Sequence, residues 1–180
     1  IEMNKKFKFL KKNTFLIDLG SSPGGWSQVA TKKITKGKIL AVDIKSMENI
    51  DDVNFLKGDL CDSIIHEKIC AYFGKKVDVV ISDMAANTSG NKDLDSYRTG
   101  ELCLRAMDLA QRILHKDGVF LSKLFMGSIF LEIHKKADVV ISDMAVNTSG
   151  NKDLDSYRTG ELCLKAMDLA QKILHKDGVF

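Results

Sequence analysis

The chain has 180 residues, 44% of them hydrophobic and 28% charged, with a formal net charge of +3. That length supports one core burying about 70% of the unfolded chain's surface, so a single domain is the default expectation. No apolar run approaches the ~20 residues of a membrane span, and the lysine-rich start (Lys5, Lys6, Lys8, Lys11, Lys12) lacks a signal peptide's apolar segment, so no membrane association and a cytoplasmic location are expected.

The first strand signal is Phe15-Leu-Ile-Asp-Leu19, a nearly continuous apolar run of the kind covered on both faces in a parallel sheet. It runs into Gly20-Ser-Ser-Pro-Gly-Gly-Trp26, where glycines let the backbone turn tightly and approach a ligand, and Pro23 suits the first turn of a helix over Trp26 to Lys33. A second run, Ile39-Leu-Ala-Val42, ends in Asp43, and a third, Val53-Asn-Phe-Leu56, leads into Gly58-Asp59. Ligands of open α/β sheets bind outside the carboxyl ends of the strands, where an acid about 20 residues past a glycine turn can accept from ribose hydroxyls. A nicotinamide dinucleotide fits poorly, because its G-x-G-x-x-G fingerprint needs a glycine two places after Gly20, and Ser22 stands there.

Asp62 to Phe73 reads as the next helix, and Val79-Val-Ile81 leads into Ser82-Asp83 as the next strand end, with Asn87 to Asp95 as a polar loop. Ser96 to His115 reads as an amphipathic helix with Leu102, Cys103, Ala106, Met107, Leu109, Ala110, Ile113 and Leu114 inward, stopped by Gly118. In Val119-Phe-Leu-Ser-Lys-Leu-Phe125, Lys123 interrupts an apolar run, where a buried ammonium is costly unless paired or neutral; a solvent-facing edge position is the plain alternative. Strands alternating with helices predict a mostly parallel sheet with helices on both faces. Cys61, Cys70, Cys103 and Cys163 form no CxxC pair, so no disulfide framework and no metal are expected.

Asp18-Leu-Gly-Ser-Ser-Pro-Gly-Gly-Trp-Ser-Gln28, Asp43, Gly58-Asp59, Ile81-Ser-Asp-Met-Ala-Ala-Asn87 and Leu121-Ser-Lys-Leu-Phe-Met-Gly127 resemble, in order, the motifs of the FtsJ-type ribosomal RNA methyltransferases. The resemblance runs from Ile1 to about Lys136 and implies a Rossmann-like class I methyltransferase fold. It implies S-adenosylmethionine as cofactor and, as partner, the large-subunit ribosomal RNA, methylated at a uridine ribose 2′-hydroxyl. By position, Gly20, Pro23, Gly24, Gly25 and Trp26 would line the methionine end, Asp43 would hold the ribose and Asp59 the adenine amino group. Asp83 would lie beside the transferring methyl, and Lys123 matches the base that takes the hydroxyl proton. For Asp83 the plain alternative is a polar strand end, and for Asp43 and Asp59 it is a role in turns. The resemblance also implies a second catalytic lysine upstream of Ile1 and a catalytic glutamate in a later strand, neither with a counterpart here, so activity of this form is in question. A non-catalytic binder of the cofactor, or an inactive fragment, is the competing reading.

Residues 78 to 120 recur as 138 to 180, differing only at Ala86/Val146, Arg105/Lys165 and Arg112/Lys172. Such near identity implies a recent tandem duplication, and two units are too few for a solenoid; the expected organisation is a methyltransferase core over 1–136 with the repeat over 137–180 packed on it or loosely attached. Val139 to Asp143 would then lie at a sheet edge, pack loosely, or exchange between chains, and the oligomeric state is left open. The N-terminal lysines with Lys32, Lys33, Lys36 and Lys38 could form one positive surface near the ligand edge of the sheet, or two solvated faces. Trp26 and Tyr97 could stack on a base, with core or cofactor packing favoured for Trp26.

Overall fold

The computed structural model describes residues 2–87, 89–123, 137–139 and 174–179, and the chain divides into two compact units, Ile1–Gly127 and Ser128–Phe180. The first unit begins with α1 (Glu2–Phe7) and continues through β1 (Phe15–Leu19), α2 (Gly25–Thr31), β2 (Lys38–Asp43) and β3 (Val53–Lys57). It then forms α3 (Ser63–Phe73), β4 (Val77–Ser82), α4 (Lys92–Ile113) and β5 (Leu114–Ser122). The strands make one all-parallel sheet in the order β3-β2-β1-β4-β5. The chain therefore steps outward from β1 to β3, and α3 carries it back across to β4 on the other side of β1. The strand order reverses between β1 and β4, and in such sheets that is where a crevice opens at the carboxyl ends.

The apolar runs form strands because both faces are covered. Ile17, Leu19, Leu40, Val42 and Val80 pack with Ile65, Ile69 and Phe73 of α3 and Ala106, Leu109 and Ile113 of α4 on one face. Leu16, Ile39, Ala41, Val79 and Ile81 pack with Ala30 and Ile34 on the other, where Phe9, Leu10 and Trp26 close over them. Trp26 is thus half-buried against the core rather than displayed for stacking on a base. The helix α3 starts where Asp62 accepts from the Ile64 N–H and ends at Gly74, whose φ of 64° is the left-handed conformation of a helix stop.

The long helix differs from its expected span of Ser96 to His115. It begins at Lys92 because the Asn91 side chain accepts from the Leu94 N–H, a cap hidden within what reads as a polar loop. It ends at Ile113, before Gly118, because Leu114 already pairs with Val77 and draws the chain into β5. Between Leu114 and Val119 the register slips against Val77 and Val79, so His115 to Gly118 bulge out of the ladder and Gly118 marks the bulge rather than a helix stop. Pro23 also departs from its reading: it lies before the helix cap Gly24, in an exposed turn after a cis Ser22–Pro23 peptide bond.

In the second unit, β6 (Ala137–Val139) and β7 (Leu174–Val179) pair in parallel. Ala137 faces Leu174 and Val139 faces Val179, with a slip between them, which reproduces the irregular pairing of Val77 with Leu114 and Val79 with Val119 one repeat further on. Val140 to Asp143 and the Lys135-Lys136 junction lie outside the described residues.

Among the described residues no helix is long and apolar enough to cross a membrane, and no group of three or more metal-type ligands occurs. Leu19, wholly buried in the core, should lose about 2–5 kcal/mol on replacement by alanine, whereas Ile64→Ala, at 55% exposure, should cost under about 0.5 kcal/mol. Urea unfolding with a shared slope checks both values.

Candidate active site at the carboxyl edge of the sheet

The hydrogen-bond ladder continues past the strand ends. Gly20 and Ser21 N–H donate to the Val42 carbonyl at 2.9 and 3.3 Å, Gly58 to Asp43 at 2.9 Å, Asp83 to Leu19 at 3.1 Å and Lys123 to Ser82 at 2.9 Å. These bonds set Gly20, Asp43, Asp83 and Lys123 along one edge, with Asp59 just beyond Gly58 at its outer end.

The turn after β1 is shaped by two glycines that no other residue replaces without strain. Gly20 has φ +72°, and a Cβ there would lie 2.9 Å from the Met84 backbone nitrogen and Cα, so the segments after β1 and β4 touch. Gly24, at φ +113°, lies under Ile50 and Met47 of the loop after β2. Gly25 opens α2 with nothing within 4 Å of where its Cβ would be. The turn is anchored to β2 by Asp43, whose carboxylate accepts from the Ser22 N–H at 2.9 Å and the Lys45 N–H at 2.7 Å. Pro23 and Gly25 are exposed, Gly24 is buried and Trp26 turns into the core.

Asp83 faces Lys123 directly, Nζ to Oδ1 at 3.3 Å. Lys123 lies one residue past the edge strand β5 with its side chain 57% exposed, so of the two readings of this lysine the structure takes the solvent-facing one. The run turns outward there because β5 ends at Ser122, leaving the next side chain at the rim of the sheet. Asp59 is exposed, and its carboxylate accepts from the Cys61 N–H at 2.8 Å, a bond that holds it below the usual carboxylate range.

Sequence motifs include Asp18 but assign it no role, and the structure makes it the most unusual group at the edge. Its side chain is fully buried, Oδ2 accepts from the Ser27 hydroxyl at 2.6 Å, and Oδ1 has no partner among the described residues. Burial is the main force that pushes its pKa up to about 6; the Ser27 bond opposes this, while the nearby Asp83 and Asp43 carboxylates add to it. Ser21 Oγ in the turn and Ser82 Oγ at the end of β4 are likewise buried without a partner among the described residues. The signal in the sequence is an acid inside a strand otherwise apolar on both faces.

The expected positive surface lies elsewhere. Because α2 runs back along the sheet, the Lys12 carbonyl accepts from the Thr35 and Lys36 N–H groups, so Lys12, Lys36 and Lys38 gather where the strands begin, opposite the glycine turn.

A parallel sheet in this order, with a glycine turn after β1 and acids at successive strand ends, defines a Rossmann-like fold. The FtsJ-like methyltransferase family model matches residues 1–136 and again 128–180, and the chain belongs to that family. It is 48% identical over 133 residues to ribosomal RNA large subunit methyltransferase E of Pelagibacter ubique, a match covering 74% of this chain and 66% of that protein. To the protein of the same name from Acinetobacter baylyi it is 44% identical over 138 residues, covering 76% of this chain and 64% of the relative. The chain thus spans just under two thirds of the length of these relatives. A crystal structure from Plasmodium falciparum, described as that of a ribosomal RNA methyltransferase, superposes with a TM-score of 0.65 at 26% identity, covering 82% of this chain and 86% of that one.

With its pKa raised from 3.8 to about 6, Asp18 contributes stability that is fully present below about pH 3.8 and is lost as pH rises through about 6, an effect of about 3 kcal/mol. The difference in unfolding free energy between the native chain and Asp18→Asn should therefore change with pH across that window and flatten above it, which urea titrations at stepped pH will show.

Proposed function

We propose that this chain is an S-adenosylmethionine-dependent RNA ribose 2′-O-methyltransferase, acting on large-subunit ribosomal RNA in the cytoplasm. The observation that carries the reading is the common edge shared by the glycine turn, Asp43, Asp83 and Lys123, in a chain of this family. The residues present suit the cofactor chemically. The space beside Gly25 is open, Asp18, Ser21 and Ser82 keep buried polar atoms without described partners, and three carboxylates surround the turn. A cationic sulfonium and an α-ammonium group are favoured where negative charge is concentrated and water is partly displaced.

The bound cofactor would supply an electrophilic methyl group. The backbone from Gly20 to Gly25 would receive its methionine end, with Pro23 and Trp26 shaping the turn. Asp43 retains lone pairs beyond its two backbone bonds to accept from ribose hydroxyls, and Asp59, at the outer end of the edge, would accept from the adenine amino group. Lys123 Nζ, in its neutral amine form, would take the proton from the attacking 2′-hydroxyl, and Asp83, 3.3 Å away, would hold that nitrogen in place. The relatives' names carry the choice of large-subunit ribosomal RNA as substrate.

Titration calorimetry with S-adenosylmethionine and methyl transfer to large ribosomal subunits test the proposal together. Lys123→Ala should leave cofactor affinity within about threefold and lower kcat by about 10²–10⁴-fold, the usual worth of a general base. Asp83→Ala should weaken both. Cofactor binding with no transfer by the native chain would leave a binding protein, and no heat at millimolar cofactor would end the proposal.

A further inference from the structure

The residues that begin the strands form a second charged edge, which the cofactor reading does not use. In sheet order it carries Lys36 and Lys38 before and at the start of β2, Lys12 before β1, Lys75 and Lys76 before β4, and Arg112 before β5. All are exposed. Contacts tie them into one surface: the Lys12 carbonyl accepts from the Lys36 N–H at 2.8 Å, Lys38 Nζ lies 5.3 Å from the Tyr72 ring centre, and Lys75 Nζ lies 3.6 Å from that of Phe15. Lys76 Nζ donates to the Arg112 carbonyl. A cavity of about 290 Å³ opens between Phe73, Lys75, Lys76 and Arg112, on the side of the molecule away from the glycine turn.

The six cations of the row outnumber the four acids on or beside this edge, Asp51, Asp52, Asp78 and Asp117. Asp78, the acid set among these cations, accepts from the Phe15 N–H at 2.6 Å and lies 3.0 Å from His115 Nε2, which fixes its carboxylate in place and leaves one negative charge within the row. Asp51 and Asp52 before β3 and Asp117 in β5 stand at the two ends of the row. Neighbouring strands are about 4.8 Å apart, so the sheet sets the backbone of these residues in an extended row, a shape suited to a linear polyanion and poorly suited to a compact anion.

We propose that this amino edge is a second RNA-binding surface, which grips sugar-phosphate backbone at a distance from the methyl-accepting ribose. The choice of RNA over an acidic protein rests on the methyltransferase reading, and the row itself supplies the electrostatics. Anchoring there would raise affinity without sequence preference and would leave the carboxyl edge free for one nucleotide.

The test is fluorescence anisotropy of a labelled RNA hairpin with the full chain, without cofactor, between about 50 and 200 mM salt. The triple variant Lys36→Gln, Lys38→Gln, Lys75→Gln should bind about tenfold or more weakly, and its slope of log affinity against log salt should fall by about two. The corresponding triple arginine variant should stay within about threefold of native, as should Lys68→Gln, an exposed lysine in the middle of α3. Unchanged affinity and slope in a folded triple glutamine variant would overturn the proposal. So would an equal loss in Lys68→Gln, or tighter binding of poly-glutamate than of RNA, which would point to an acidic protein. Because RNA binding is read without cofactor, retained binding with no methyl transfer would sink only the catalytic reading.

Discussion

The site depends on a backbone ladder that does not stop where the strands do. Further hydrogen bonds past the ends of β1, β3, β4 and β5, from Gly20 to Val42, Gly58 to Asp43, Asp83 to Leu19 and Lys123 to Ser82, fix the order of the candidate residues along the edge. The side chains need not find one another, because the main chain has already placed them. That placement rests in turn on sheet faces buried on both sides, since Leu16, Ile17 and Leu19 of β1 are wholly inaccessible to water. The energetic exception in that strand is Asp18, a carboxyl buried where an apolar side chain would be more stable. A fold tolerates such a cost where a binding site requires the group.

The carboxyl edge combines tight backbone approach with concentrated negative charge. Gly20 against Met84 and Gly24 beneath Met47 and Ile50 leave no room for side chains, so the loops after β1, β2 and β4 lean on one another. Asp43 joins two of these loops through Ser22. The charge of Asp43 and Asp83 is felt at Asp18, which burial already disposes toward its neutral form. A cationic ligand would relieve that crowding of like charge, which makes the electrostatics of the edge informative about what it binds.

The strands and the glycine turn were legible in the sequence because a strand buried on both faces writes itself as an unbroken apolar run. So was α3, whose Asp62 cap and Gly74 stop flank the periodic segment. The start of α4 was not, because its cap Asn91 sits among polar residues that also suit a loop. Its end was hidden because Gly118 serves a bulge that exists only once β5 pairs with β4, a non-local fact. The exposure of Lys123 depends on where β5 stops, and the location of the basic residues depends on the direction in which α2 returns; neither is written in local sequence. The repeat gives a complementary lesson, since β6 and β7 reproduce the slipped pairing of β4 and β5. That irregularity is therefore a property of the repeated segment itself.

The central claim is that the carboxyl edge holds the adenosyl cofactor. A crystal structure of the chain with S-adenosylhomocysteine tests it most directly. The account requires the amino-acid end beside Gly24 and Gly25, the sulfur near Asp83, and the ribose hydroxyls within hydrogen-bond reach of Asp43. Ligand density at the cavity beside Lys75 and Arg112, or a glycine turn that contacts no ligand at all, would contradict it.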